Sequence, residues 1–192
     1  YKSAVANPPS IGYNKPIAKI HVQKEYIMWY AILGAVLLAG DQILKYWVVT
    51  HLAVGESAPF LPGFMQLTRL HNYGAAWSSL SGRTVLLVVF TAVLLAAVAL
   101  LLIKKVVRHW TGITACTLIL SGGIGNIIDR IVHGYVVDMF DLQLFSYPVF
   151  NLADCCVVVG AILGGIYYLF LYEKYDKKKK EPDHAHDPSD PS

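Results

Sequence analysis

The segment from Thr84 to Ile103, TVLLVVFTAVLLAAVALLLI, runs for 20 residues without a charged side chain. An α-helix of about 20 apolar residues is long enough to cross the roughly 30 Å hydrocarbon core of a bilayer. Inside lipid, a single segment can satisfy its backbone hydrogen bonds only as a helix. The segment therefore predicts a transmembrane helix, and the rest of the chain has to fold around a bilayer.

Three further segments are apolar enough to be predicted as membrane spans: Thr111–Ile128, Cys155–Tyr172 and Ile27–Val49, the last interrupted by Asp41 and Lys45. The composition agrees, because 55% of residues are hydrophobic and only 15% are charged, whereas soluble domains carry about 25% charged residues. We therefore predict an all-α integral membrane protein with four transmembrane helices.

Basic residues predict the orientation of these spans. Lysine and arginine cluster in three segments: Lys104–Trp110, Lys174–Lys180 and the N-terminal flank with Lys15, Lys19 and Lys24. With four spans, all three segments fall on one side, and short basic segments favour the cytoplasm. We expect both termini to be cytoplasmic and the loops His51–Arg83 and Arg130–Asn151 to face outward.

The chain divides into three predicted parts. Residues 1–26 are expected to be an N-terminal extension or a cloning remnant, 27–172 the membrane domain, and 173–192 a basic and then polar, disordered cytoplasmic tail. His184 and His186 are read as part of a solvated tail. The three cysteines lie in apolar runs without metal-ligand spacing to histidine, and we predict neither a metal nor a cofactor.

Polar side chains are predicted to gather at the outer ends of three helices. They are Asp41 and Lys45 on the first span, Asn126 and Asp129 on the third, and Asn151 and Asp154 at the start of the fourth. An aspartate at the bilayer centre costs about 2.5–3.5 kcal/mol on insertion scales, and such residues usually face the bundle interior. A functional site near the outer interface follows as a hypothesis.

Some of these residues have purely structural explanations. Asp41 and Lys45 are spaced i, i+4 and could neutralise each other on one helix face, in which case replacing both should be tolerated better than replacing either one. Asp129 and Arg130 could be ordinary interface residues that close the third helix.

Asp138 and Asp154 are harder to explain structurally. Neither has a basic residue within one helical turn, and the sequence between them contains no lysine or arginine. Two converging carboxylates raise the pKa of one partner, and a shared proton is what aspartic proteolysis requires. No serine or cysteine has a recognisable nucleophile context, and thiols in apolar surroundings such as those of Cys155 and Cys156 are inert.

Five motifs together resemble one known family. They are DQ with Lys45 (Asp41–Lys45), NYGAAW (Asn72–Trp77), SGGIGNIIDR (Ser121–Arg130), VVD (Val136–Asp138) and FNLAD (Phe150–Asp154). In this order they resemble lipoprotein signal peptidase, the signal peptidase II of bacteria, across roughly residues 27–172. The family's fold and activity would then be those of a membrane-embedded aspartic endopeptidase, which cuts prolipoproteins before a diacylglyceryl-modified cysteine.

The resemblance implies roles for particular residues. Asp138 and Asp154 would be the catalytic pair, and Asn72 would lie on a loop that contacts substrate. The expected supporting or substrate-binding residues are Asn126, Arg130, Asn151, Asp129, Asp41 and Lys45, with Asp129 matching a position that looks structural. Met139 stands where the family usually has phenylalanine.

The resemblance also predicts what the outward loops do. The alternation of Met65 and Leu67 with Gln66 and Thr68 is typical of a short strand, and the family folds this region into a small extracytoplasmic β-sheet. The loop from Arg130 to Phe150 is similar to a segment that closes over the family's active site. Its five aromatic residues serve either as interface anchors or as a substrate gate.

The expected partners are lipid-modified prolipoproteins and membrane lipids, with no nucleic acid, and the expected state is a monomer. Three rival functions remain: a proton-coupled transporter, a four-helix scaffold and a presenilin-type aspartic protease. No internal repeat supports the transporter. The GxGD element of the presenilin type is absent, because Gly123-Ile124-Gly125 is followed by Asn126.

Overall fold

The computed structural model describes residues 15–74 and 82–177, with side chains described from residue 27 onward. In chain order the elements are α1 (Lys15–His51), β1 (Ser57–Leu61), β2 (Met65–Asn72), α2 (Thr84–Ile103), α3 (Trp110–His133), β3 (Val136–Leu142), α4 (Leu152–Ile166), a π-helical segment (Tyr167–Leu171) and α5 (Tyr172–Tyr175). β1 and β2 lie between α1 and α2, and β3 lies between α3 and α4. We call the end of the bundle with these strands the sheet end. The end with the α2–α3 connection is the loop end.

Four helical segments are long and apolar enough to cross a membrane, which confirms the predicted fold class. They are Ile27–His51, Thr84–Ile103, Trp110–His133 and Leu152–Tyr175. α2 has the predicted bounds, and α3 extends past its predicted end at Ile128 because IIDRIVH continues the helix until Gly134 adopts a left-handed C-cap with φ 81°.

Two other helices, α1 and α4, also depart from their predicted bounds. α1 begins at Lys15, so it extends through part of the segment assigned to the N-terminal extension. Proline fits the first turn of a helix, and Pro16 stands there. At the other end, α4 changes to a π-helical turn at Tyr167. The domain boundaries stay a prediction, and residues 1–14 and the histidines of the tail lie outside the described residues.

α3 lies at the centre of the bundle and packs against α1, α2 and α4. Its contact with α4 is closest at glycines: a β-carbon at Gly122 would lie 2.3 Å from the carbonyl oxygen of Ala153, and one at Gly160 would lie 2.9 Å from that of Ala115. Small residues at these crossings let two helix backbones approach each other in lipid. The start of α4 is therefore held tightly against α3.

The three strands form one antiparallel sheet in the order β1-β2-β3. β2 pairs with β3 so that Asn72 faces Val136 and Leu70 faces Asp138, with a bulge between Leu67 and Leu70. The small predicted sheet is confirmed, but the loop after α3 contributes its third strand, which the sequence analysis did not identify. Asp138 thus lies on a paired strand.

The sheet is anchored to the last turns of α1. Val48 and Leu52 form a buried cluster with Val137 and Met139 of β3. Met139 is fully buried, so methionine fills an apolar core at the position where the family usually has phenylalanine. Arg69 of β2 donates from Nη1 to the carbonyl oxygens of Val49 and Leu52, both at 3.0 Å. These contacts fix the position of β3 relative to the helices.

We expect Gly122→Ala to lower the activity that the family resemblance implies, because its β-carbon would displace the first turn of α4, where Asp154 lies. A displacement of about 1 Å at reacting groups can reduce a rate by about 100-fold. The measurement is kcat/KM for the substrate that the resemblance implies, together with the thermal unfolding temperature.

Gly165→Ala is the matched control, since a β-carbon there meets no heavy atom within 4 Å. We expect it to behave like the wild type in both measurements. If Gly122→Ala retained wild-type kcat/KM, the close α3–α4 crossing would have no bearing on the site.

Candidate active site

Asp138 on β3 and Asp154 in the first turn of α4 are brought together at the sheet end, as the sequence predicted. Asp138 is 1% exposed. Its two carboxyl oxygens accept hydrogen bonds from Asn151 Nδ2 at 2.7 Å and from Asn72 Nδ2 at 2.9 Å. Three predicted site residues from three elements therefore meet around one carboxyl group.

An asparagine pair links the two carboxyl groups. Asn151 donates from Nδ2 to Asp138 and, at 3.3 Å, to the side-chain oxygen of Asn126. Asn126 donates from its own Nδ2 to Asp154 Oδ1 at 2.8 Å. Asn151 is fully buried, so this amide bridge fixes the relative orientation of Asp138 and Asp154.

Local sequence explains why Asp154 is held in this way. Asn151 is the N-cap of α4, and its side-chain oxygen accepts from the backbone N–H of Asp154 at 2.8 Å. In return, Asp154 Oδ2 accepts from the backbone N–H of Asn151 at 3.3 Å. This reciprocal pair is a capping box, and it fixes the carboxyl group of Asp154 at the start of α4.

The environment of Asp138 favours a protonated carboxyl group near neutral pH. Burial and the neighbouring charge of Asp154 raise the pKa of Asp138 to about 7, against the opposing hydrogen bonds from Asn72 and Asn151 and the charge of Lys45. Two neighbouring carboxyl groups that share one proton offer one acid and one base for catalysis.

A buried ion-pair network lies next to this pair. Lys45 Nζ is 2.8 Å from Asp41 Oδ2 and 2.9 Å from Asp129 Oδ2, and it donates to Asn126 Oδ1 at 3.0 Å. The predicted Asp41–Lys45 pair is therefore present, but Lys45 also binds a second carboxylate. Asp129 is 2% exposed, and in the described part of the chain its ion-pair partner is Lys45 on α1, not the adjacent Arg130.

The two carboxylates of this network hold the elements that carry Asp138 and Asp154. Asp41 Oδ1 accepts from the backbone N–H of Ala153 at 2.9 Å, and Asp129 Oδ2 accepts from the backbone N–H of Val137 at 3.2 Å. Each acceptor thus contacts the residue immediately before one member of the pair. The network positions β3 and α4 relative to α1 and α3.

We expect Lys45→Met to be more destabilising than Asp41→Asn, because it leaves two buried carboxylates without a counter-charge. Breaking a buried ion pair from one side costs about 3–5 kcal/mol. The double variant Asp41→Asn/Lys45→Met still leaves Asp129 without its cation, so the rescue predicted from an isolated pair should be incomplete. Thermal unfolding in detergent measures the order of stability.

The triple variant, with Asp129→Asn added, removes every charge of the network and should recover stability relative to the double variant. If the double and triple variants unfolded at the same temperature, the unpaired charge of Asp129 would not lower stability, and the contact between Lys45 and Asp129 would not contribute to it.

Arg130 and Asn72 link the site to the segment that follows β2. Arg130 donates from Nη2 to the carbonyl oxygen of Gly74 at 2.8 Å and from Nη1 to that of Asn126 at 3.3 Å. It thereby ties α3 to the segment that follows Asn72. Ala75, Ala76 and Trp77, which complete the NYGAAW motif, lie outside the described residues, and substrate contact by this loop stays a prediction.

We expect kcat/KM to fall as pH rises above about 7, because the proton on Asp138 is lost there. Asn72→Ala removes a hydrogen bond that lowers the pKa of Asp138, so its alkaline limb should move to higher pH. The measurement is the pH profile of kcat/KM for the substrate that the resemblance implies.

Gln66→Ala provides the control for this profile. Gln66 lies on the same strand and donates to Asp141 at 2.7 Å, so its loss removes an equivalent amide–carboxylate bond away from Asp138. Its profile should match the wild type. An unchanged or downward-shifted limb in Asn72→Ala would contradict the assignment of the titrating group to Asp138.

Two site features were missed in the sequence. Gln42 donates to Asp129 Oδ1 at 3.1 Å and to Asp41 Oδ2 at 3.2 Å. The sequence analysis assigned roles to Asp41 and Lys45 but none to Gln42. The spacing of Asn151 and Asp154 is an N-cap signal that sequence rules contain, and it would have located the start of α4.

The third aspartate of the region, Asp141, contacts Gln66 and Thr68 and is not part of the pair.

Comparison with known proteins yields a consistent set of similar chains. The family model for signal peptidase (SPase) II matches residues 33–170. The chain is 41% identical to a lipoprotein signal peptidase of Enterococcus faecalis over 151 residues, which cover 79% of this chain and 93% of the relative. It is 38% identical to a lipoprotein signal peptidase of Lactococcus lactis over 149 residues, covering 78% and 95% respectively.

Solved structures agree with this. A bacterial membrane enzyme determined by the in meso method at 2.3 Å resolution superposes with a TM-score of 0.71 at 32% identity, covering 82% of this chain and 96% of the other. A second one, at 1.9 Å resolution, gives a TM-score of 0.70 at 33% identity, with 76% and 95% covered.

Proposed function

This chain belongs to the signal peptidase II family, and from that premise we propose that it is a bacterial membrane aspartic endopeptidase that removes signal peptides from prolipoproteins. The cut lies immediately before the cysteine that carries the diacylglyceryl group. One observation carries the proposal: the buried pair formed by Asp138 and Asp154, which Asn126 and Asn151 bridge at the sheet end of the bundle.

The pair supplies both halves of a direct hydrolysis. Ionised Asp154 takes a proton from a water molecule, and the water oxygen attacks the carbonyl carbon of the scissile peptide. Protonated Asp138 donates to the carbonyl oxygen as it becomes tetrahedral. When the intermediate collapses, the C–N bond breaks, the proton held by Asp154 passes to the leaving amine, and one hydroxyl of the intermediate returns a proton to Asp138. A carboxylic acid and an amine are released, both aspartates regain their starting protonation states, and no covalent enzyme intermediate forms.

The remaining site residues position this pair. The two asparagines of the amide bridge orient the carboxyl groups, and the network of Asp41, Lys45 and Asp129 holds the backbone before each aspartate. Arg130 and Asn72 face the segment after β2, where we place the substrate backbone. The closing role of the segment after β3, with its aromatic residues, is part of the same proposal.

The basic residues favour an orientation with both termini in the cytoplasm. The sheet end, with the aspartate pair, then lies near the outer face of the cytoplasmic membrane. A signal peptide is itself apolar, and the substrate cysteine carries two acyl chains, so the scissile bond is held near the bilayer surface. Lifting those chains out would cost about 0.8 kcal/mol per CH₂ group. We propose that a monomer among membrane lipids performs the reaction.

The experiment is to incubate the purified full chain in liposomes with a diacylglyceryl-modified prolipoprotein and to follow release of the signal peptide. Release should continue after treatment with thiol-alkylating and serine-directed reagents, because neither a cysteine nor a serine attacks the peptide. Failure to release the peptide, combined with proton-coupled solute uptake by the same liposomes, would support the transporter alternative and refute the proposal.

A further inference from the structure

A groove opens between α1 and α2 at the loop end of the bundle, with α3 packed against both helices. Its volume is about 960 Å³ and its lining is largely aliphatic. The residues that mark its extent are Tyr30 and Leu38 on α1, Lys105 and Arg108 in the α2–α3 connection, and Trp110 and Ile124 on α3. We call it the basic groove. None of the aspartates or amides around the catalytic pair lines it.

The charged residues at the mouth of the groove are basic. Lys105 and Arg108 line the groove, and no carboxylate occurs among its described lining residues. Arg108 is partly neutralised, because its Nε lies 3.2 Å from Asp176 Oδ1. Within the described residues, no carboxylate lies at ion-pair distance from Lys105. The groove therefore combines an apolar interior with a cation at its edge.

The backbone at Lys105 is unusual. Lys105 has a φ of 52°, and it is the only residue other than glycine with a positive φ among those the structure describes. Lys105 directly follows Lys104, the C-cap of α2, and a left-handed residue at this position commonly ends a helix, where it is usually glycine. A lysine at this position places a charged side chain at the mouth of the groove.

Two aromatic residues mark the depth of the mouth. Trp110 is 66% exposed, and the hydroxyl of Tyr30 donates to the carbonyl oxygen of Trp110 at 3.4 Å. Tryptophan and tyrosine favour the level of the lipid headgroups. Lys105 precedes Trp110 in the α2–α3 connection and lines the same groove, so a lipid whose phosphate lay at this level would have its acyl chains along the aliphatic lining.

We propose that the basic groove binds an anionic glycerophospholipid, with its phosphate at Lys105 and its acyl chains along α1 and α3. Basic pockets between transmembrane helices on the cytoplasmic side are suited to anionic lipid headgroups. The inference depends on the proposed orientation only in assigning this lipid to the cytoplasmic leaflet.

The substrate's signal peptide is the rival occupant, and the charges disfavour it. A signal peptide begins with a positively charged segment on the cytoplasmic side. In the basic groove that segment would lie beside Lys105 and Arg108, and like charges would repel. An anionic lipid meets the same residues with opposite charge.

The test is native mass spectrometry of the purified full chain with equal amounts of phosphatidylglycerol and phosphatidylcholine. The wild type should retain phosphatidylglycerol preferentially. Lys105→Gln should reduce that preference by about fivefold, from the roughly 1 kcal/mol that one basic residue contributes near a membrane surface. Lys105→Gly removes the charge and relieves the backbone strain, so it should stay folded and show the same loss.

Lys104→Gln is the matched control, because Lys104 is exposed, adjacent in sequence and not part of the lining. It removes the same charge and should keep the preference. Ala35→Trp, which fills the groove from α1, should abolish retention of the lipid.

Three results would overturn the proposal: equal preference in the Lys104 and Lys105 variants, undiminished retention in Ala35→Trp, or one-for-one displacement of the lipid by a signal-peptide helix. The assay requires no cleavage, so a protein that failed to cut prolipoproteins could still pass it.

Discussion

Asp138→Asn and Asp154→Asn are each expected to lower kcat/KM for a lipidated prolipoprotein by about 10⁴-fold, the upper range for loss of a general acid or base. An amide cannot accept the proton of the attacking water, and it cannot protonate the carbonyl oxygen. Since the two groups act as a unit, the double variant should be scarcely worse than either single one. The measurement is single-turnover cleavage with purified protein in liposomes.

Asp141→Asn is the matched control for both variants. Asp141 lies on the same strand as Asp138 and accepts hydrogen bonds from Gln66 at 2.7 Å and Thr68 at 3.2 Å. It is a carboxylate outside the amide bridge, so its replacement should leave kcat/KM near the wild-type value. Thermal unfolding of the three single variants and the double variant checks that they are folded. Near-normal turnover by Asp138→Asn or Asp154→Asn would remove that residue from the catalytic pair.

Removing the diacylglyceryl group from the substrate is expected to lower kcat/KM by at least about 100-fold. The described chain forms a small sheet and a helical bundle, so peptide contacts around the pair are few. The acyl chains anchor the substrate in the bilayer and hold the scissile bond at one depth, which raises its effective concentration at Asp138 and Asp154. Without them, the bond has to reach that depth by chance.

The measurement uses one prolipoprotein in two forms, with and without the lipid, in the same detergent. A control substrate in which the lipid is present but the cysteine is moved several residues from the original cut site should be cut at the new position or not at all. Equal rates for the lipidated and unlipidated forms would contradict lipid-dependent positioning and favour a general intramembrane protease.

The four membrane-spanning helices could be predicted from the sequence because the bilayer restricts the structures that an apolar segment can adopt. α2 has identical predicted and observed bounds, since a run of 20 uncharged apolar residues has one stable arrangement in lipid. The polar residues at helix ends also met as predicted, because topology alone places the end of α3 and the start of α4 on the same side.

Contacts between distant segments were the part that sequence could not supply. β3 is a seven-residue strand whose partner, β2, lies more than sixty residues earlier in the chain, and hydrophobic periodicity does not identify such a partner. The second partner of Lys45 was missed for the same reason. The i, i+4 spacing indicates Asp41, whereas Asp129 comes close only once α1 and α3 have packed.

The amide bridge contains one contact that the sequence predicts and one that it does not. Asn151 and Asp154 form a capping box whose spacing is visible in the sequence. That the same asparagine also donates to Asp138 depends on where β3 lies, and β3 is placed by the apolar cluster at the end of α1. Local rules therefore predict the two capping bonds between Asn151 and Asp154, but not the hydrogen bond from Asn151 to Asp138.

The central claim is that Asp138 and Asp154 hydrolyse the peptide bond before the lipid-modified cysteine by direct attack of water. The most direct test is mass spectrometry of both products from a lipidated prolipoprotein cleaved in the presence of hydroxylamine. The account predicts one fragment that begins at the diacylglyceryl cysteine and a signal peptide that ends in a free carboxylate. A hydroxamate at that end would reveal a covalent acyl-enzyme, and a cut elsewhere would reveal a different specificity; either result would contradict the account.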